Sequence, residues 1–359
     1  MKAPSETIRI AVVGAGQMGG RHVSVLGRMD RAELVAVADP EQKARRLALG
    51  AASSVREYDD WRVLIDDLGS SIDAVCVAVP SVAHAEVALA ALEVGLHVLV
   101  EKPIAATLED AERMQAAAEA SHRKLMVGHV ERFNPAVGKV RDLVVEGKLG
   151  RIYRAHATRV GPFPARVRDA GVAIDLASHD IDVMRHVLGR ELVQVYAEGG
   201  SFLHDSHEDL ITCLLRFVGG AFGLLDANWL SPEKQRELVL LGEAGMIRAS
   251  YLTQDVWFLE SSEVPAPHSW GELALIRGDA EGSAVRFALR KVEPLRAELE
   301  AFVDCIVDDT REPVDASDGR RALAVALAVR ESVTTGRIVE LDPESEPAPA
   351  IGRRATDEN

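Results

Sequence analysis

Three glycines in "VGAGQMGG", Gly14, Gly16 and Gly19, directly follow the apolar run "IRIAVV" and open a helical pattern. Glycine at these spacings suits a backbone that turns tightly, approaches a pyrophosphate closely and lets a helix pack on a strand. The helix N-terminus then turns free N–H groups and its dipole towards the phosphates. A tight strand-to-helix connection alone could also use three glycines, so context decides. Asp39, 20 residues after Gly19, is the acidic residue that ends the next strand-like run. It would accept hydrogen bonds from the adenosine ribose hydroxyls and repel a 2′-phosphate, which favours NAD over NADP. Asp39 could also cap the helix "PEQKARRLAL", with Pro40 at its first position. Arg45 and Arg46 on that helix read as solvated charges.

In an open α/β sheet the ligand lies beyond the carboxyl ends of the strands. Three clusters fall there: Pro80 and His84 in "VAVPSVAHAEVA", Glu101, Lys102 and Pro103 in "VLVEKP", and His129, Glu131 and Arg132 in "MVGHVERF". With Gln17 and Met18 between the last two glycines, Pro80, His84, Glu101 and Lys102 are the candidate cofactor contacts. Taken alone, a lysine at a strand end is more often a surface charge. Further on, "DLASHDID" places Asp175 four residues before His179, so the two share a face if the segment is helical. The plain alternative is that Asp175 caps the helix and His179 packs beneath a sheet.

The elements that must hold these groups divide the chain. Between Ile8 and about Gly128, strand-like runs ("ELVAVAD", "DAVCVAVP", "HVLVEKP", "KLMVG") alternate with helical patterns, the signature of βαβ units and a doubly wound parallel sheet of Rossmann type. Afterwards "RIYRAHATRV", "LVQVYAEGG", "LITCLLRFVGG", "AFGLLDANWL" and "RELVLLGEAGMIRASYL" follow one another, with turns expected at Gly219-Gly220 and Glu243-Ala244-Gly245. This predicts an α+β domain on a largely antiparallel open sheet. Two helical patterns, "PLRAELEAFVDCIVDD" and "SDGRRALAVALAVRESVTTG", precede a last strand, "RIVEL". The expected division is a dinucleotide-binding domain over 1–128, a substrate and oligomerisation domain over 129–341, and a disordered tail over 342–359 rich in Pro, Glu and Ala.

Bulk properties narrow the partners. With 359 residues, two domains are the prior expectation. A net charge of -15 disfavours nucleic acid and anionic membrane, so an anionic ligand needs a local basic pocket. The N-terminus lacks the apolar segment of a secretory signal, and no run approaches the roughly 18 apolar residues needed to span a bilayer. Cys76, Cys213 and Cys305 are far apart and form no CxxC, so they read as buried reduced thiols. These features point to a cytoplasmic protein, and the histidines show no metal-ligand spacing.

"GAGQMGGRH", "PSVAHAEVALAALEVGLHVLVEKP" and "DLASHDID", in this order and at these separations, resemble the Gfo/Idh/MocA family of pyridine-nucleotide oxidoreductases over residues 8 to 341. The resemblance implies that Lys102 lies beside nicotinamide and substrate, that His179 is the acid/base for the substrate hydroxyl, and that Asp175 binds a sugar hydroxyl. Hydride transfer from a secondary alcohol carbon would then accompany transfer of the alcohol proton to His179, with the Lys102 ammonium stabilising the developing alkoxide. "GHVERFNPAV" and "RVGPFPARVRDAGVAIDLASHDID" resemble members that act on UDP-linked N-acetyl sugars. Arg159, Arg166 and Arg168, just before Asp175, suit a diphosphate, and Arg132 and Asn134 are further candidate ligand contacts. Free-sugar members often carry Asn near the position of Glu131, which leaves that residue without an assigned role. The expected reaction is NAD-dependent oxidation of the C3 hydroxyl of a UDP-N-acetylhexosamine. Inositol or free-sugar oxidation, glycoside cleavage with transient use of NAD, and non-catalytic dinucleotide sensing are the alternatives. The resemblance implies a homodimer or homotetramer, and an antiparallel sheet with one uncovered apolar face would favour association through that face.

Overall fold

The computed structural model describes residues 7–50, 54–164, 170–261 and 282–343. The chain forms two compact units, one of residues 1–133 and 292–324 and the other of 134–291 and 325–359.

In the first unit six strands, β1 (Ile8–Val13), β2 (Ala32–Ala38), β3 (Arg56–Tyr58), β4 (Ala74–Val77), β5 (His97–Glu101) and β6 (Leu125–Gly128), form one sheet. Its order is β3-β2-β1-β4-β5-β6, and every adjacent pair is parallel. Strands covered on both faces should be apolar throughout, and β4, "AVCV", is buried at all four positions. Strand order reverses at β1 and β4, the switch point where such sheets take ligands. Helix α1 (Gln17–Leu26) follows β1 directly.

The first helical pattern beyond residue 290 returns to this unit. Helix Pro294–Val307 adds Leu295, Leu299, Phe302 and Val303 to the core around Ile10, Val12, Val23 and Leu26. A linear division at residue 128 could not express this return. Periodicity identifies a helix and its buried stripe without saying which sheet the stripe covers. The second division, at 324/325, falls inside helix Ala316–Thr335.

Among the described residues the second unit holds nine strands, β7 (Ile152–Pro162), β8 (Leu192–Gly200), β9 (Leu210–Phe217), β10 (Phe222–Asn228), β11 (Leu230–Gly242), β12 (Gly245–Ser250), β13 (Asp255–Glu260), β14 (Ala284–Phe287) and β15 (Val339–Glu340), in the order β14-β13-β12-β11-β7-β10-β9-β8-β15, antiparallel except for the parallel pair β7 and β10. In β9 (Leu210–Phe217) Ile211, Cys213, Leu215 and Phe217 point into the core while Thr212, Leu214 and Arg216 face outward, the period of two expected for a sheet covered on one side. Gly219 and Gly220, with φ of +85° and +87°, turn β9 into β10 as anticipated. Helix Ser178–Leu188 supplies Ile181, Val183, Met184 and Val187 to the same core. The tail from residue 344 lies outside the described residues.

Candidate active site

The glycine loop fits a dinucleotide by direct steric test. Gly14 has φ +93°, and a Cβ there would lie 2.5 Å from the Ala78 carbonyl oxygen. A Cβ on Gly19 would fall 1.8 Å from the Gly14 carbonyl oxygen, so helix and loop touch only because neither residue has a side chain. At Gly16 a Cβ would meet nothing within 4 Å, so it faces the open side where a pyrophosphate must approach. Gly16 also caps α1 without a side-chain acceptor, and Gln17 and Met18 form the first helical residues. A groove of about 630 Å³ runs along this loop, lined among others by Ala15, Gly16, Gln17, Arg21, Glu41 and Lys43.

Asp39 closes the loop from the end of β2. Its Oδ2 accepts the Ala15 N–H at 2.7 Å and its Oδ1 accepts the Glu41 N–H at 2.8 Å. The following helix, Gln42–Leu49, is capped by Glu41, so Asp39 is not its N-cap. Arg45 is buried rather than solvated, contrary to expectation. Its guanidinium bonds Glu57 at 3.2 Å and the Asp39 carbonyl, tying this helix to β2 and β3.

At the end of β5, Lys102 is half-buried, and Glu101 turns inward to His22 with Nε2 2.7 Å from Oε1. Glu101 is therefore a brace beneath the strand end. His84 is also a brace, since Nδ1 lies 2.8 Å from the Pro103 carbonyl and Nε2 lies 2.9 Å from the Val79 carbonyl. Burial lowers its pKa below the ordinary value, against the two carbonyls, which raise it. The ring lies between the carbonyls of the β4 and β5 strand-end loops, and its one N–H in the neutral form donates to one of them. Pro80, in the β4 strand-end loop, is exposed.

Arg132 and Asn134 are held by the protein. The Arg132 guanidinium pairs with Asp318 at 2.7 Å and is nearly buried. Asn134 caps helix Pro135–Val145 through Oδ1 and donates Nδ2–H to the Tyr251 carbonyl at 3.1 Å. The sequence marked both as polar groups near a strand end. It did not show that an acid 186 residues further on would meet Arg132.

In the second unit Asp175 lies within a single π-helical turn, Ala173–Ala177, and His179 is the second residue of the α-helix Ser178–Leu188 that continues from it. Such a turn changes the angular step per residue, and π-bulges concentrate at functional sites. Both side chains are half-buried. Glu208 anchors the entry, its carboxylate accepting the Ala173 N–H at 3.1 Å and its carbonyl the Val172 N–H at 2.9 Å. The next residue, Asp180, is fully buried and paired with the Arg159 guanidinium, itself 4% exposed. Arg159 therefore holds the Asp175/His179 helix instead of presenting its charge to a diphosphate. Arg166 and Arg168 lie outside the described residues. Asp180, Glu208, His22 and Glu298 escaped the sequence reading, which gave no signal of their burial or partners.

No helix among the described residues is long and apolar enough to cross a membrane. No group of three or more His, Cys, Asp or Glu among them could hold a metal ion. Cys76, Cys213 and Cys305 are buried free thiols, and burial pushes Cys305 up to about 12.

Residues 8–129 match the family model described as "Oxidoreductase family, NAD-binding Rossmann fold", and residues 137–248 match the "GFO/IDH/MocA C-terminal domain". The chain is 31% identical over 356 residues to inositol 2-dehydrogenase 1 of Saccharopolyspora erythraea, covering 95% of this chain and 98% of that one. It is 28% identical over 326 residues to the UDP-N-acetylglucosamine 3-dehydrogenase of Acidithiobacillus ferrooxidans, covering 91% and 97%. A solved structure of that enzyme superposes with a TM-score of 0.78 at 27% identity, covering 91% of this chain and 97% of that one. The chain belongs to the Gfo/Idh/MocA family. It is an NAD-binding dehydrogenase of CH–OH groups.

Proposed function

We propose that this enzyme oxidises the C3 hydroxyl of a UDP-linked N-acetylhexosamine to a ketone, with NAD as hydride acceptor. The observation that carries the chemistry is the placement of Asp175 on the π-turn and His179 in the first turn of the following helix, both half-buried, on a segment anchored by Glu208 and by the Arg159–Asp180 pair. The similarity to a UDP-N-acetylglucosamine 3-dehydrogenase supports the substrate. NAD, when bound along the glycine loop, takes up the hydride. His179 accepts the hydroxyl proton, Asp175 holds a neighbouring hydroxyl, and the Lys102 ammonium stabilises the negative charge that develops on the substrate oxygen. Asp39 accepts from the ribose hydroxyls.

Inositol oxidation is the second reading. Arg132, Asn134 and Arg159 all turn inward, which leaves Arg166 and Arg168 as the notable candidate diphosphate contacts, and an inositol 2-dehydrogenase is 31% identical. The outward face of the second sheet, with Leu214, Phe222 and Trp257 at 49%, 40% and 39% exposure, supports self-association into a homodimer or homotetramer.

The decisive assay follows NADH formation with UDP-N-acetylglucosamine, its glucuronate counterpart and myo-inositol in parallel, with a ketone trap to draw the reaction forward. Turnover with a UDP-sugar is expected, falling about 100- to 10,000-fold in Lys102→Ala and His179→Ala while NAD still binds. Turnover with myo-inositol alone would replace the substrate and keep the catalytic roles. NAD binding without turnover on any of the three would reject both substrates.

A further inference from the structure

Beneath the strand end that carries Lys102, three elements of the first unit bring ionisable side chains together. His22 lies on α1, three residues after Gly19, and its Nε2 is 2.7 Å from Glu101 Oε1. The other oxygen, Glu101 Oε2, accepts the backbone N–H of Lys102 at 3.3 Å. Gly128, opposite Glu101 on β6, makes room for this carboxylate, since a Cβ there would come within 3.1 Å of Oε2. The third member is Glu298, on helix Pro294–Val307. It is 0% exposed, and neither carboxyl oxygen has a hydrogen-bond partner among the described residues.

Burying an ionised carboxylate with no donor is prohibitive, so such a group takes up a proton instead. Burial, and then the charge of Glu101, push Glu298 well above the ordinary carboxylate range. Burial would raise Glu101 too, but the hydrogen bond and charge of His22, with Lys102 and His84, hold it below its usual value. Two buried carboxyls that feel each other's charge share one charge, which goes to the member with donors. Glu101 has two donors and Glu298 has none.

We propose that His22, Glu101 and Glu298 form a positioning unit for Lys102, in which Glu101 carries the negative charge and Glu298 carries a proton. Its effect on turnover rests on the reading of Lys102 as a catalytic residue, whereas the assignment of charge and proton does not. The anionic Glu101 fixes the backbone at Lys102 and offsets its ammonium. His22 ties that strand end to the helix whose N-terminus faces the phosphates. A neutral Glu298 adds no second charge to this buried group.

Two measurements test the two halves. The infrared difference spectrum between wild type and Glu298→Gln, without substrate, should show the carbonyl stretch of an un-ionised carboxylic acid at neutral pH. An ionised-carboxylate signal in its place overturns the proton assignment. For the positioning role, Glu101→Gln should lower kcat about tenfold or more while NAD Kd and substrate KM stay within about threefold. His22→Gln, which keeps an N–H donor, should retain more turnover than His22→Leu. Thermal unfolding and NAD binding identify any variant that fails to fold, and the milder His22→Gln keeps the test open in that case. An unchanged kcat in folded Glu101→Gln, with Lys102→Ala inactive, overturns the positioning unit. An active Lys102→Ala overturns the catalytic reading of Lys102 and the positioning role with it, while the infrared result still stands by itself.

Discussion

In the parallel unit the groups proposed to meet a ligand are backbone N–H groups at the start of α1 and residues just past the strand ends. In the antiparallel unit the proposed chemistry rests on side chains of a π-turn and of the helix that follows it, held by a buried ion pair. The first arrangement depends on what is missing, since side chains at Gly14 and Gly19 would overlap Ala78 and Gly14. The second depends on what is present. Arg159 donates charge-assisted hydrogen bonds to the Asp180 carboxylate in the interior, and His179 is the residue next to Asp180 in sequence. Substitution should therefore act differently in the two places, through sterics in one and through electrostatics in the other.

The largest expected effect is in the second unit. Arg159→Met leaves Asp180 buried without its guanidinium, which should cost about 3–5 kcal/mol of stability, whereas Arg159→Met combined with Asp180→Leu should recover much of it. Urea unfolding of the single and double variants measures this. If Arg159 instead bound a substrate diphosphate, Arg159→Met would keep its stability and lose affinity only for UDP-sugars. That outcome would undo the contrast between the two units.

In the first unit Gly19→Ala must displace the Gly14 carbonyl, so both NAD affinity and thermal stability should fall, the affinity by about 100-fold, close to 2.8 kcal/mol. Gly16→Ala sharpens the comparison because its added methyl meets only the open side of the loop. It should weaken NAD binding and leave the melting temperature near wild type, as calorimetry with and without NAD would show. Equal losses of stability at the two positions would mean that Gly16 is also a packing glycine.

The same contrast explains what could be read in advance. A glycine pattern, a strand that precedes it and an acid 20 residues later are local features, and each occupies the expected place in the sheet. The alternation of apolar runs gave both sheet types, because period and burial are written residue by residue. Partners separated by long stretches of chain were not legible. Arg159, Arg132 and Asn134 had the right types for ligand contacts, yet each is engaged by a residue that only tertiary packing brings near. His84 looked like a polar group at a strand end, and only the fold shows that it joins two loops. The return of residues 292–324 to the first unit has the same cause, since an apolar helical stripe does not name the sheet it covers.

The smallest effect concerns pH and lies at the other end of β5 from Lys102. His97 Nδ1 accepts the Lys124 N–H at 3.0 Å, an arrangement that requires this nitrogen to be unprotonated. Burial, followed by the charges of Arg123 and Lys124, lowers its pKa from 6.5 to about 4. The unfolded chain takes up this proton below about pH 6.5 while the folded chain resists it until about pH 4. The stabilisation is therefore present above pH 6.5 and is lost as the pH falls through that window. Partial exposure screens the effect, so only a shallow loss is expected. His97→Gln should flatten it, which denaturant midpoints at about pH 7 and about pH 5 would reveal. Because His97 lies in the parallel unit, this acid sensitivity should persist in Arg159→Met. A variant in which the acid slope vanished along with the ion pair would show that the two units do not lose stability independently.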